Sequence, residues 1–201
     1  MLVESIPHNL PSSQSPSTKL DTIQKLPSSG FVKVDLKDAW INFIKRYEPF
    51  TWYVTLTFKE PKHPESADKA FFRWIRHINE CLYGRRYREK KKGVTYFKCM
   101  EYQEKRRINE KKDVLHFHCL IGDPNLKNLK RLDFMKAWEY GCYGSKELVN
   151  GFARITEYDA TRGAVNYCSK YVLKGGEIDP YISPEQWHLL NDTEPMLQFI
   201  N

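Results

Sequence analysis

The sequence predicts an α+β fold of the ferredoxin-like kind, an antiparallel sheet with helices packed on one face. Three observations carry that prediction. Segments of strand and helical character follow one another in the order βαββαβ. The two middle strands are joined by a short charged stretch, as an antiparallel hairpin requires. Each end of the set carries one further helical segment, and no internal repeat interrupts it. The second face of such a sheet, or a groove along it, is left for a ligand.

Residues 1–30 are rich in Ser and Pro and hold no aromatic residue, so they read as a disordered leader. Order is expected from Phe31. Over 36–47, Leu36, Trp40, Phe43, Ile44 and Tyr47 fall at helical spacing and give the extra N-terminal helix. Residues 52–58, WYVTLTF, are β-branched and aromatic and form a strand, which the Pro61–Pro64 segment ends. A second helix is expected from Ser66 to Leu82, capped by Ser66 or Asp68, with Phe71, Trp74, Ile75 and Ile78 as its apolar stripe. After the basic run RRYREKKK at 85–92 come two strands, 94–102 and 114–121. A helix over Leu129–Tyr140 and a strand over 151–158 complete the set. A last helix is expected from Thr161 to Leu173, ended by Gly175 and Gly176. The chain thus divides into a leader (1–30), a catalytic domain (31–176) and an acidic C-terminal extension (177–201).

A length of 201 residues, 41% of them hydrophobic, suffices for one domain with a proper core. No apolar run approaches the roughly 18 residues of a membrane helix. The first residues lack the basic flank and apolar run of a secretory signal, so the cytosol of the host cell is expected and no membrane partner. Cys81, Cys99, Cys119, Cys142 and Cys168 are scattered and odd in number, which suits free thiols better than a disulfide framework or a zinc knuckle.

The net charge is +7, unevenly spread. The leader is neutral and residues 175–201 carry five acidic side chains and no Lys or Arg, so residues 31–174 hold +12. Such a surplus favours a polyanionic partner through phosphate neutralisation.

His116 and His118 flank Phe117 in an apolar strand, so alternation sends both imidazoles to one face, roughly 7 Å apart along the backbone. Two neutral ring nitrogens at that spacing can converge on one divalent ion. Two sheet histidines hydrogen-bonded to neighbours are the competing reading. On the partner strand Glu101 and Gln103 share a face, and either can supply a further ligand. Two histidines with one oxygen ligand and open positions suit Mg²⁺ or Mn²⁺ acting on a phosphate.

Residues 167–174 place Tyr167, Lys170, Tyr171 and Lys174 on one helical stripe. A phenol of pKa ~10 is a weak nucleophile until a cation stabilises its phenoxide, and neighbouring lysines would do so. The competing reading is a surface helix with snorkelling lysines.

With Thr55-Leu56-Thr57-Phe58, Glu101-Tyr102-Gln103, Leu115-His116-Phe117-His118 and Tyr167-Cys168-Ser169-Lys170 in that order, the chain resembles the HUH endonucleases. It is most similar to the rolling-circle replication initiators of plasmids and single-stranded DNA phages and viruses. The doubled Tyr-x-x-Lys-Tyr-x-x-Lys resembles the two-tyrosine initiators of small single-stranded DNA phages. The resemblance spans roughly residues 50–175, and conjugative relaxases differ in placing the tyrosine before the histidines.

The resemblance implies that His116, His118 and Glu101 or Gln103 hold Mg²⁺ or Mn²⁺ at the scissile phosphate. It implies that Tyr167 or Tyr171 attacks single-stranded DNA, or an origin hairpin, leaving a 5′-phosphotyrosine and a 3′-OH that primes synthesis. Lys170 would balance charge, and Arg85, Arg86, Arg88, Lys90–Lys92 and Lys174 would track the DNA backbone. The GxxxxGK[ST] loop of a helicase domain does not occur in the sequence, so a host helicase and polymerase are the expected partners. Two alternatives remain open here. One is a single-strand DNA transposase of the same superfamily. The other is a non-catalytic nucleic-acid-binding module that stacks bases on Tyr96, Phe97, Tyr102 and Phe117.

Overall fold

The computed structural model describes residues 36–163, 165 and 177–193. The leader at 1–30, the nucleophile helix beyond Val165, and with it Tyr167, Cys168, Lys170, Tyr171 and Lys174, lie outside the described residues. Five strands, β1 (Trp52–Thr57), β2 (Thr95–Tyr102), β3 (Leu115–Gly122), β4 (Ala153–Glu157) and β5 (Glu177–Tyr181), form one sheet in the order β4-β1-β3-β2-β5. Every pairing is antiparallel, and β1 to β4 follow the ferredoxin-like order.

The main core lies on the face covered by α2 (Pro64–Tyr83) and α4 (Arg131–Glu139). Alternation sends Trp52, Val54 and Leu56 of β1 and Phe117, Cys119 and Ile121 of β3 to that side. They meet Phe71, Trp74 and Ile78 of α2 and Phe134 and Trp138 of α4, each contributing about 1.5–3 kcal/mol by burial. The two buried indoles keep their donors satisfied: Trp74 Nε1 donates to the Phe134 carbonyl at 2.8 Å and Trp138 Nε1 to that of Thr57 at 2.9 Å.

The other face changes character along its length. At one end α1 (Leu36–Lys45) and the chain after it set Ile44, Tyr47 and Phe50 on the cross-strand pair Phe97 and Leu120, making a second, smaller core. The next pair along β2 and β3 is Cys99 with His118, and the one after it Glu101 with His116. One end of the ligand face is therefore apolar and covered, and the other is polar.

Several local expectations are corrected. Neither Ser66 nor Asp68 caps α2. The helix starts at Pro64, whose missing N–H suits a first helical position, and His63 precedes it without a side-chain cap. Asp68 instead accepts a hydrogen bond from Lys98 Nζ at 2.6 Å. The hairpin loop contains a short helix, α3 (Glu104–Asn109). The α4 helix begins at Arg131 because a 3-10 turn, Pro124–Asn128, occupies the stretch before it, its first turn closed by Asp123 accepting from the Asn125 N–H. The stretch at Thr161 is likewise a 3-10 turn, Ala160–Arg162, capped by Asp159 and ended by Gly163 at φ 67°.

The acidic extension supplies structure that the sequence reading did not foresee. β5 adds to the edge of β2, and α5 (Pro184–Thr193) follows, with Ser183 Oγ accepting from the Gln186 N–H. Cys81, Cys99, Cys119 and Cys142 are all free thiols, as expected. Among the described residues no helix is long and apolar enough to cross a membrane.

Candidate metal centre

The polar end of the second face is built by register. Glu101 on β2 stands directly across from His116 on β3, and His116 stands directly across from Thr57 on β1. Two residues along, Thr55 stands across from His118. A directly opposed pair brings its Cβ atoms to about 5 Å, so one carboxylate and two imidazoles converge without help from any loop. One ligand atom from each of Glu101, His116 and His118 lies within 4.8 Å of the others. His116 Nε2 is 3.1 Å from Glu101 Oε2, and the two imidazole planes stand at 88° with centroids 4.7 Å apart.

Electrostatics favour the ligand form of both rings. Burial pushes the His118 pKa down to about 3, with the neighbouring His116 adding to the shift. Burial also lowers the pKa of His116, and the Glu101 carboxylate opposes without reversing it. Both imidazoles are therefore neutral at neutral pH, the state in which a ring nitrogen offers a lone pair.

Around His118 the supporting contacts are hydroxyls. Thr55 Oγ1 lies 3.1 Å and Tyr53 Oη 3.2 Å from His118 Nδ1. With Nδ1 carrying the proton and donating to a hydroxyl, Nε2 is the nitrogen left to bind a metal. His116 Nδ1 is buried and has no hydrogen-bond partner among the described residues. A buried polar atom without a partner costs about 1–3 kcal/mol, which a ligand to the ring would offset. The donor set, neutral nitrogens plus a carboxylate, fits a divalent cation of the first transition row or Mg²⁺.

The remaining expected site residues fall in different places. Gln103 follows β2 immediately before α3 and lines a cavity with Thr57, Lys59, Arg106 and Phe152. Thr55 and Thr57 face the metal group, while Leu56 and Phe58 between and after them pack in the main core. Arg85, Arg86 and Arg88 follow α2 on the helix-covered side, so they do not join Glu101, His116 and His118. Tyr96, Phe97 and Phe117 are buried at 5%, 0% and 0% exposure, which removes three of the four rings of a base-stacking platform.

Sequence reasoning missed Arg154. It is exposed on β4 and lines, with Tyr53, Thr55, Thr156 and Arg162, a cavity of about 300 Å³ beside His118. The signal existed, because Arg154 alternates with buried Ala153 and Ile155, but placing it beside His118 requires knowing that β4 pairs with β1.

Comparison with known families gives one result. The profile of the replication-associated protein ORF2 family matches residues 51–176, a span that contains β1 to β4. No curated protein and no solved structure gives a significant match.

Proposed function

The chain belongs to the replication-associated protein ORF2 family, and on that premise we propose that it is a replication initiator that nicks and rejoins single-stranded DNA at an origin. The observation that carries this reading is the convergence of Glu101, His116 and His118 on the polar end of the second sheet face. A divalent cation held there would draw electron density from a phosphate oxygen and hold the phosphate in place. His116 and His118, kept neutral by burial, would bind it through nitrogen, and Glu101 would add the negative charge a hard cation prefers. Thr55 and Tyr53 would hold the His118 ring in its ligand tautomer. Arg154, exposed beside the same group, would hold the DNA backbone.

The nucleophile in this proposal is Tyr167 or Tyr171. Its phenolate oxygen bonds to phosphorus, the bond from phosphorus to the 3′-oxygen breaks, and that oxygen takes a proton. The product is a 5′-phosphotyrosine and a 3′-OH, and the reverse reaction rejoins the strand. Lys170 would stabilise the phenoxide.

Incubation with labelled single-stranded origin oligonucleotides and Mn²⁺, followed by a denaturing gel, tests the reading. A covalent adduct is expected from the intact protein and none in EDTA, nor from His116→Ala or His118→Ala. Tyr167→Phe is expected to lose most of the first adduct, whereas Tyr171→Phe keeps it and fails at strand transfer. A full adduct in EDTA would remove the metal from the mechanism. Phosphotyrosine found only on Tyr171 would exchange the roles of the two tyrosines.

A further inference from the structure

A second charged surface stands on the helix-covered side of the sheet, away from Glu101, His116 and His118. On α2, Lys69, Arg73 and Arg76 fall at i, i+4 and i+7, so they share one stripe, and all three are at least partly exposed. Ala70, Phe71, Trp74, Ile75 and Ile78 occupy the buried side of the same helix, which turns the stripe to solvent. Lys69 and Arg73 make no ion pair among the described residues, and Arg76 has only Glu80, at 3.8 Å. The stripe continues through a cavity of about 350 Å³ lined by Phe72, Arg76, Arg88 and Lys91 into the exposed loop after α2. There Glu89 neutralises Arg86 at 2.5 Å and Glu185 neutralises Lys92 at 2.7 Å, while Arg85 and Lys91 have no ion pair among the described residues.

The chemistry of this surface selects among nucleic acids. Single strands are bound where aromatic rings are open for stacking. Here Phe72 is the exposed ring, and it is already engaged, edge-on to Phe71 at 5.9 Å and with the Lys98 ammonium 5.2 Å from its centre. What remains is a row of cations on a rigid helix of 20 residues, about 30 Å long. That length is close to one turn of duplex DNA, about 34 Å, whose phosphates are regularly spaced.

We infer that this face binds duplex DNA through its phosphates, without reading sequence, and holds double-stranded DNA while the opposite face acts on an unpaired strand. The duplex contact rests on membership of a replication family and on this surface, and it stands without the nicking reading.

Anisotropy with a labelled blunt duplex of arbitrary sequence, in EDTA and across a salt series, tests it. The variant is Lys69→Ala/Arg73→Ala/Arg76→Ala, since alanine favours the helix and preserves the fold. Each phosphate that no longer meets a cation lowers the salt slope by about 0.9, so the triple variant should give up nearly three and bind the duplex at least about tenfold more weakly at moderate salt. Arg73→Ala alone should show about one third of that change in slope. Adduct formation on a single-stranded oligonucleotide should be unchanged. Unaltered duplex affinity and slope in the triple variant, with an unaltered circular dichroism spectrum, would overturn the inference. Equal losses on duplex and single strand would overturn it too, by assigning the stripe to the path of the unpaired strand. Because binding is read in EDTA, a protein that fails to nick still gives a decisive answer.

Discussion

Two clusters of buried ionisable groups sit on opposite faces of the same sheet, and they are finished differently. On the helix-covered face, Lys98 of β2 is 3% exposed, yet its ammonium reaches Asp68 at 2.6 Å and Asp179 at 3.0 Å. The rings of Phe71, Phe72 and Phe117 lie 5.2–5.4 Å from it. Burial pushes the Lys98 pKa down, but the hydrogen bonds and charges of the two aspartates more than reverse this, and the net shift is upward. On the other face, Glu101, His116 and His118 converge and leave His116 Nδ1 without a partner among the described residues. A cluster that only holds a fold completes its own hydrogen bonds, because an unpaired buried group is costly. The second cluster is arranged to be completed from outside.

The first way to break that comparison is to strand the lysine. Asp68→Asn with Asp179→Asn leaves a buried ammonium without a countercharge, and breaking a buried pair costs up to about 3–5 kcal/mol. The partial exposure of both carboxylates, 32% and 46%, places the expected loss toward the lower end. Adding Lys98→Met to the double variant should restore most of the loss, because an apolar chain of similar length fills the space among the three rings. Urea denaturation measures both. Equal stability of the double variant and the intact protein would show that the cluster is not closed as described.

A smaller effect sharpens the other side. Glu101→Ala should weaken Mn²⁺ affinity about 10–100-fold, the scale on which supporting groups act at metal sites, and more than Gln103→Ala does. Gln103 is set off from the pair by the turn into α3, whereas Glu101 faces His116 in register. The opposite order of affinities would make Gln103 the ligand.

The smallest expected effect is in pH. A lysine whose folded pKa is raised contributes stability that is complete below its unfolded pKa of about 10.4 and is lost as pH rises through the folded value. The stability advantage of the intact protein over Lys98→Met should therefore shrink above about pH 10.4. Tyr83 and Tyr96, whose phenol pKa values burial pushes up, weaken both proteins alike in that range, so the difference isolates the lysine. An advantage that grows with pH would contradict the sign.

What could be read in the sequence follows from period and spacing. The strands of the main core carry β-branched and aromatic residues in alternation, and the histidine pair on one strand face follows from the same rule. Pairing order could not be read. Arg154 and His118 are 36 positions apart and meet because β1 lies between β4 and β3. β5 was hidden by composition: EIDPY is acidic and holds Pro180, which reads as tail, yet an edge strand tolerates a proline. Asp68 has the residue type and position of a cap, but its partner, Lys98, is 30 positions away, and only the folded sheet brings a buried cation to it. The Tyr167–Lys174 stripe stands on sequence pattern alone.

The central claim is that Glu101, His116 and His118 form a metal site, and calorimetric titration with Mn²⁺ tests it most directly. The intact protein should bind one ion per chain. The double variant His116→Ala/His118→Ala should bind none over the same concentrations while keeping its circular dichroism spectrum. Undiminished binding of Mn²⁺ by a folded double variant would contradict the account.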